Sequence, residues 1–159
     1  FRDRVAARVK RNFRKSTLLS GIHYALSQKS EKPAVLGGKI LYVDDDEETC
    51  LFLKRCLDGD GYVMEYCHSG EEALKLVNEG QYWMVLLEIA LPGADGWEIC
   101  RKIKNNARLA GIKVYIVTAK ANEQQSAEIH DSGSDGLLLK PFKAEEILSV
   151  VHAFDTHRG

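Results

Sequence analysis

From residue 39 onward the chain alternates between two textures: short, nearly unbroken apolar runs, and stretches of ten or so residues in which apolar positions recur every three or four. The runs "KILYVD" (39–44), "YVMEYC" (62–67), "YWMVLLE" (82–88), "KVYIVT" (113–118) and "GLLL" (136–139) are too short for helices and carry little polar alternation, so they predict buried strands. The stretches "EETCLFLKRCLD" (47–58), "SGEEALKLVNEG" (69–80), "DGWEICRKIKN" (95–105), "NEQQSAEIHDSG" (122–133) and "KAEEILSVVHAF" (143–154) predict helices, the second capped by Ser69 and ended at Gly80. Five strands, each followed by a helix, predict an α/β fold: a doubly wound, five-stranded parallel sheet with helices on both faces. No internal repeat competes with that reading.

Residues 1–32 differ. Phe1, Val5, Val9 and Phe13 stand four apart, and Leu19, Ile22 and Leu26 continue at intervals of three or four, which predicts a helical arm interrupted at Ser20-Gly21. Pro33 and Gly37-Gly38 mark residues 33–38 as a linker, leaving 39–154 as the main domain and 155–159 as a tail. The chain starts at Phe1 without Met, which we read as the sign of a fragment or of a segment continuing from something upstream.

Composition adds one division. The formal net charge of −1 over 159 residues conceals an arm with nine Lys or Arg against two acids, followed by a body with thirteen basic and twenty-one acidic residues. The arm fits a helix joining this domain to another. It also fits docking onto the acidic body of its own or a neighbouring copy, hence a homodimer. A nucleic-acid role, with seven Arg or Lys in the first 15 residues, is less favoured because no helix-turn-helix or zinc pattern accompanies them. Nothing approaches the roughly 18 apolar residues of a membrane span, so no membrane is expected and a cytoplasmic location is. Cys50, Cys56, Cys67 and Cys100 lack metal spacing and read as small buried apolar residues; the five His read as surface residues.

In an open parallel sheet, ligands bind beyond the carboxyl ends of the strands. Collected there, the strand ends supply Asp44, Asp45, Glu88, Thr118 and Lys140. Two unit charges about 4 Å apart repel by roughly 4 kcal/mol at an effective dielectric near 20, so three clustered acids require cations. Lys140 supplies one. Oxygen ligands with retained waters suit a weakly held Mg²⁺, and a hydroxyl beside an ammonium suits a phosphoryl oxyanion.

The acidic pair at 44 and 45, the strand-three carboxylate followed by "LPGADG", Thr118-Ala119 and Lys140-Pro141-Phe142, in that order at successive strand ends, resemble the receiver domain of two-component response regulators over roughly residues 39–154. The resemblance implies the flavodoxin-like, chemotaxis-type receiver fold and a regulatory role in a phosphorelay, with a sensor histidine kinase or a downstream signalling protein as partner. In that family an aspartate at the end of strand three accepts a phosphoryl group beside Mg²⁺. The strand-four hydroxyl and strand-five lysine then bind the phosphoryl oxygens, and an aromatic three residues before the lysine rotates inward. Carried over, the resemblance places the metal at Asp44, Asp45, Glu88 and the carbonyl of Ala90, and the switch at Thr118, Lys140 and Leu137.

Two positions depart from the pattern: the acceptor position holds Glu88 and the aromatic position holds Leu137. One added methylene displaces the carboxylate by something over 1 Å, and a misplacement of about 1 Å can cost on the order of 10²-fold in rate. Glu88 is then a fixed partial phosphate mimic reaching toward Lys140, an inert filler of the pocket in a pseudo-receiver, or an introduced or slowly working acceptor. A non-enzymatic module is expected. The enzyme alternative, an Mg²⁺-dependent phosphohydrolase using the D-x-D spacing of Asp44 and Asp46, lacks an insertion long enough for a cap.

Overall fold

The computed structural model describes residues 38–119 and 123–155. The expectations for the arm, for residues 33–37 of the linker and for residues 156–159 of the tail lie outside these described residues. Five strands form one parallel sheet: β1 (Lys39–Val43), β2 (Met64–Cys67), β3 (Tyr82–Leu87), β6 (Lys113–Thr118) and β7 (Gly136–Leu139), in the order β2-β1-β3-β6-β7. A second, two-stranded ladder, β4 (Ala90–Leu91) with β5 (Ala94–Asp95), runs antiparallel and was not expected from the periodicity. Its strands are two residues each, too short for alternation to register.

Five helices connect the strands: α1 (Glu47–Gly59), α2 (Gly70–Glu79), α3 (Gly96–Lys104), α4 (Glu123–Ser132) and α5 (Ala144–Asp155). Two of them start where the sequence supplies a side-chain oxygen acceptor. The Ser69 side chain accepts from the Glu72 amide at the head of α2, and the Asp95 side chain accepts from the Trp97 amide at the head of α3. Glu47 and Glu48 occupy the first turn of α1, where the helix dipole favours negative charge. Burial then divides by face. On one side Cys50, Leu53 and Leu57 of α1 and Ile147 and Val151 of α5 pack with Ile40, Tyr42, Met84 and Leu86. On the other, Ala73 and Val77 of α2 and Trp97, Cys100 and Ile103 of α3 pack with Leu41, Val85, Leu87 and Ile116. β3, central in the sheet, is buried at all six positions.

Three strands are shorter than their apolar runs. Asp44 and Glu88, the last residues of the first and third runs, fall just past the ends of β1 and β3. Tyr62 and Val63 precede β2. Cys50, Cys67 and Cys100 are buried as expected, Cys56 is half-buried, and all four are free thiols. Among the described residues no helix is long and apolar enough to cross a membrane.

Candidate functional site

Sheet order changes direction between β1 and β3, which opens a crevice at their carboxyl ends. The backbone brings the two acids there side by side, because the Glu88 amide donates to the Val43 carbonyl at 2.9 Å. Register on the far side does the same for the hydroxyl and the ammonium: Thr118 pairs with Leu139, and the Lys140 amide donates to the Thr118 carbonyl at 2.8 Å.

The side chains close a network. Lys140 Nζ donates to Asp44 Oδ2 and lies 2.8 Å from Glu88 Oε2. The second oxygen of each acid turns to a nearby amide: Asp44 Oδ1 accepts from the Asp46 N–H at 3.0 Å, and Glu88 Oε1 accepts from the Ala90 N–H at 3.1 Å. Asp44 is 1% exposed, Glu88 5% and Thr118 1%, so these groups stand almost out of water. Burial alone would raise the Asp44 carboxyl, but the hydrogen bonds from Lys140, Tyr42 and the Asp46 amide outweigh it and hold the group below the usual carboxylate range. Burial would likewise lower Lys140, and its bonds to Asp44 and Glu88 raise it instead. On both partners the hydrogen bonds outweigh burial.

The short hairpin has a local job. Pro92 and Gly93, the latter with φ +67°, turn the chain between β4 and β5, and at the start of β4 the Ala90 amide donates to Glu88 Oε1. Gly96 then lets α3 begin against the same backbone: a Cβ there would lie 2.4 Å from Ile89 Cα and 2.6 Å from the Glu88 carbonyl oxygen.

Of the residues singled out from the sequence, Asp44, Glu88 and Lys140 touch directly, and Thr118 adjoins them through its backbone bond to Lys140. Asp45 is exposed beside them, and Ala90 is exposed at the start of the hairpin. Leu137 is half-buried on β7 opposite Ile116, packed against the α2–α3 face core. Sequence reasoning passed over three contributors. Tyr42, two residues before Asp44 and on the same face of the strand, donates its hydroxyl to Asp44 Oδ2. His68, just past the end of β2, places Nδ1 2.9 Å from the Asp44 carbonyl and Nε2 2.9 Å from Glu47 Oε2. Gly96 is the third. The alternation of side chains along β1 marks Tyr42, and the strand-end rule marks His68; nothing local marks Gly96.

Beside the cluster lies an open groove of about 490 Å³, lined by the exposed acids Asp46 and Glu48, by Phe52, Pro141 and Phe142, and by Lys140. The rings of Phe52 and Phe142 lie 6.3 Å apart.

The oxygen donors around the crevice are of the kind Mg²⁺ takes, and exposed Asp45 leaves room for retained waters. In the arrangement described, however, the Lys140 ammonium stands between Asp44 and Glu88, and no three His, Cys, Asp or Glu among the described residues are grouped to hold a metal. The donors match Mg²⁺ in chemical type only.

Comparison with known proteins agrees with this geometry. The family described as response regulator receiver domain matches residues 40–152. Transcriptional regulatory protein ResD of Bacillus subtilis is 31% identical over 115 residues, 72% of this chain and 47% of its own length. Response regulator MprA of Mycobacterium ulcerans is 32% identical over 115 residues, 72% of this chain and 49% of its own length. The chain therefore spans about half the length of these curated relatives. Among solved structures, a two-component response regulator from Clostridium difficile superposes with a TM-score of 0.68 at 31% identity, covering 73% of this chain and 93% of that one.

Proposed function

We propose, for a chain that belongs to the family of response regulator receiver domains, that it acts as a signalling module whose acceptor position carries Glu88 as a fixed anion, without normal phosphorylation. One observation carries the reading. Glu88 places Oε2 at 2.8 Å from Lys140 and Oε1 at 3.1 Å from the Ala90 amide, so a carboxylate occupies two donors suited to an oxyanion. A nucleophile committed to an ammonium and an amide is poorly placed for in-line attack. Leu137 supports the same reading, because an aliphatic side chain packed into the core offers no ring to rotate in step with Thr118.

The module works by protein contact, with a sensor histidine kinase or a downstream signalling protein as partner, through the surface formed by α4, β7 and α5. It catalyses no turnover of its own. Mg²⁺, where bound, would be held by Asp44, Asp45, Glu88 and the Ala90 carbonyl and would supply charge neutralisation at the crevice. The test is incubation of the full chain with acetyl phosphate and Mg²⁺, followed by intact mass. We expect no phosphoryl adduct on the unmodified chain and an adduct on Glu88→Asp. A stable adduct on Glu88 would overturn the fixed-anion reading, and steady phosphate release would overturn the non-enzymatic one.

A further inference from the structure

We propose that the outward stripe of α1 formed by Glu48, Leu51, Phe52 and Arg55 is a self-complementary surface on which a second copy of this chain docks, the two helices lying antiparallel about a two-fold axis. The inference goes beyond the signalling role proposed above and is tested without phosphorylation.

Helix α1 turns Cys50, Leu53 and Leu57 into the core. At about 100° per residue, Glu48, Leu51, Phe52 and Arg55 fall on the opposite side, and all four are exposed. Two of them are large apolar side chains standing in water: Leu51 is 39% exposed and Phe52 43%. Phe142, whose ring lies 6.3 Å from that of Phe52, extends the apolar centre to one side. An exposed apolar patch rimmed by charge marks a contact surface.

Charge identifies the occupant. Of the other charged side chains of α1, Glu47 meets His68 and Tyr66, and Lys54 pairs with Asp58 four residues on. Glu48 and Arg55 have no ion-pair partner among the described residues. They stand two turns apart, beyond the three- or four-residue spacing at which side chains of one helix pair. They also lie equally far on either side of the Leu51-Phe52 pair, the acid toward the amino end and the base toward the carboxyl end. An antiparallel copy reverses that order. Centred between 51 and 52, it sets the partner's Arg55 against Glu48 and the partner's Glu48 against Arg55, while Leu51 and Phe52 meet their own counterparts near the axis. This reciprocity is what a two-fold interface requires; a parallel copy would face like charge with like. A standard interface uses roughly 20–30 residues a side, so a pair held by this stripe is weak and forms at high concentration. It uses no residue of α4, β7 or α5, and that surface stays available in both copies.

The test is sedimentation equilibrium of the full chain from about 10 µM to 1 mM, the range suited to a small interface. The unmodified chain should rise from 17.8 kDa toward twice that mass. Glu48→Arg sets like charges against each other at both ends of the pair, and Arg55→Glu does the same with the opposite sign. Each variant alone should therefore self-associate about tenfold more weakly at low salt. Mixed in equal amounts, the two variants present opposite charges to each other at both ends and should associate as the unmodified chain does, with one copy of each per complex. An unmodified chain that stays monomeric throughout overturns the proposal. So does self-association that either variant leaves unchanged, which would assign the contact to another surface, and so does a mixture that fails to recover. A companion measurement uses no substitution. Diluting ¹⁵N-labelled unmodified protein should move the amide resonances between Glu48 and Arg55 and leave those of α4 in place; resonances of α1 that stay fixed while the mass changes would sink the idea.

Discussion

Two clusters of lysine and carboxylate lie at opposite ends of the sheet, and their charge balance differs. At the amino ends of the strands, Asp135 faces Lys104 at 2.7 Å and Lys113 at 3.9 Å, and it also accepts from the Val114 amide. One acid has two cations and an amide. At the carboxyl ends, among the described residues, Lys140 is the lysine that serves two nearly buried acids, with exposed Asp45 adding a third negative charge beside them. The first cluster is complete as a joint between α3, β6 and β7. Counted over the described residues, the second retains an excess of negative charge, which is the condition for binding a cation or for responding to a change in charge. The comparison teaches that lysine–carboxylate contact alone does not mark a functional site; the unbalanced remainder does.

The largest test of this difference is Lys140→Met. It would leave Asp44 and Glu88 buried without their cation, and breaking a buried pair in this way costs roughly 3–5 kcal/mol. Urea unfolding should show the loss, and a change under about 1 kcal/mol would mean that the acids are already compensated by the amides and Tyr42. The same pair shapes the pH dependence of stability. Asp44 has a depressed folded value, so its contribution is present above the unfolded carboxylate value of about 3.9 and disappears as pH falls through the folded one. Lys140 is raised, so its contribution is complete below about 10.4 and disappears as pH rises through its folded value. Unfolding midpoints measured across pH should therefore fall at both extremes, and Asp44→Asn should flatten the acid limb.

Smaller effects belong at the other end of the sheet. Asp135→Asn weakens the bonds to Lys104 and the Val114 amide and should cost about 1–3 kcal/mol, with Mg²⁺ affinity unchanged by titration. A changed Mg²⁺ affinity would show that the two clusters are coupled through β6 and β7. Lys113→Met is the smallest. Its ammonium is 3.9 Å from Asp135 and its side chain is 44% exposed, so a loss of no more than about 0.5 kcal/mol is expected. A larger loss would show that the amino-end joint needs both lysines.

Much of the fold could be read in advance because its signals are local. The all-apolar run at 82–87 belongs to the central strand, and Ser69 and Gly80 bracket α2 as their types suggest. The β4–β5 hairpin escaped notice because two-residue strands carry no period, though Pro92-Gly93 marks a turn. At the site, the strand-end rule found Asp44, Glu88, Thr118 and Lys140. It missed Tyr42, whose apolar ring made it look like an ordinary core residue while its hydroxyl served Asp44. It also missed Gly96, whose role is the space it leaves for Ile89 and Glu88.

By itself the sequence determined the kind and order of the elements, the face each helix buries, and which polar side chains stand at the strand ends. These follow from periodicity, caps and turn residues within a few positions of one another. Only the tertiary structure decided that Lys140 reaches both Asp44 and Glu88. The lysine lies 96 residues from Asp44 in the chain. Such contacts depend on strand order, register and the approach of one backbone to another, which no local pattern encodes.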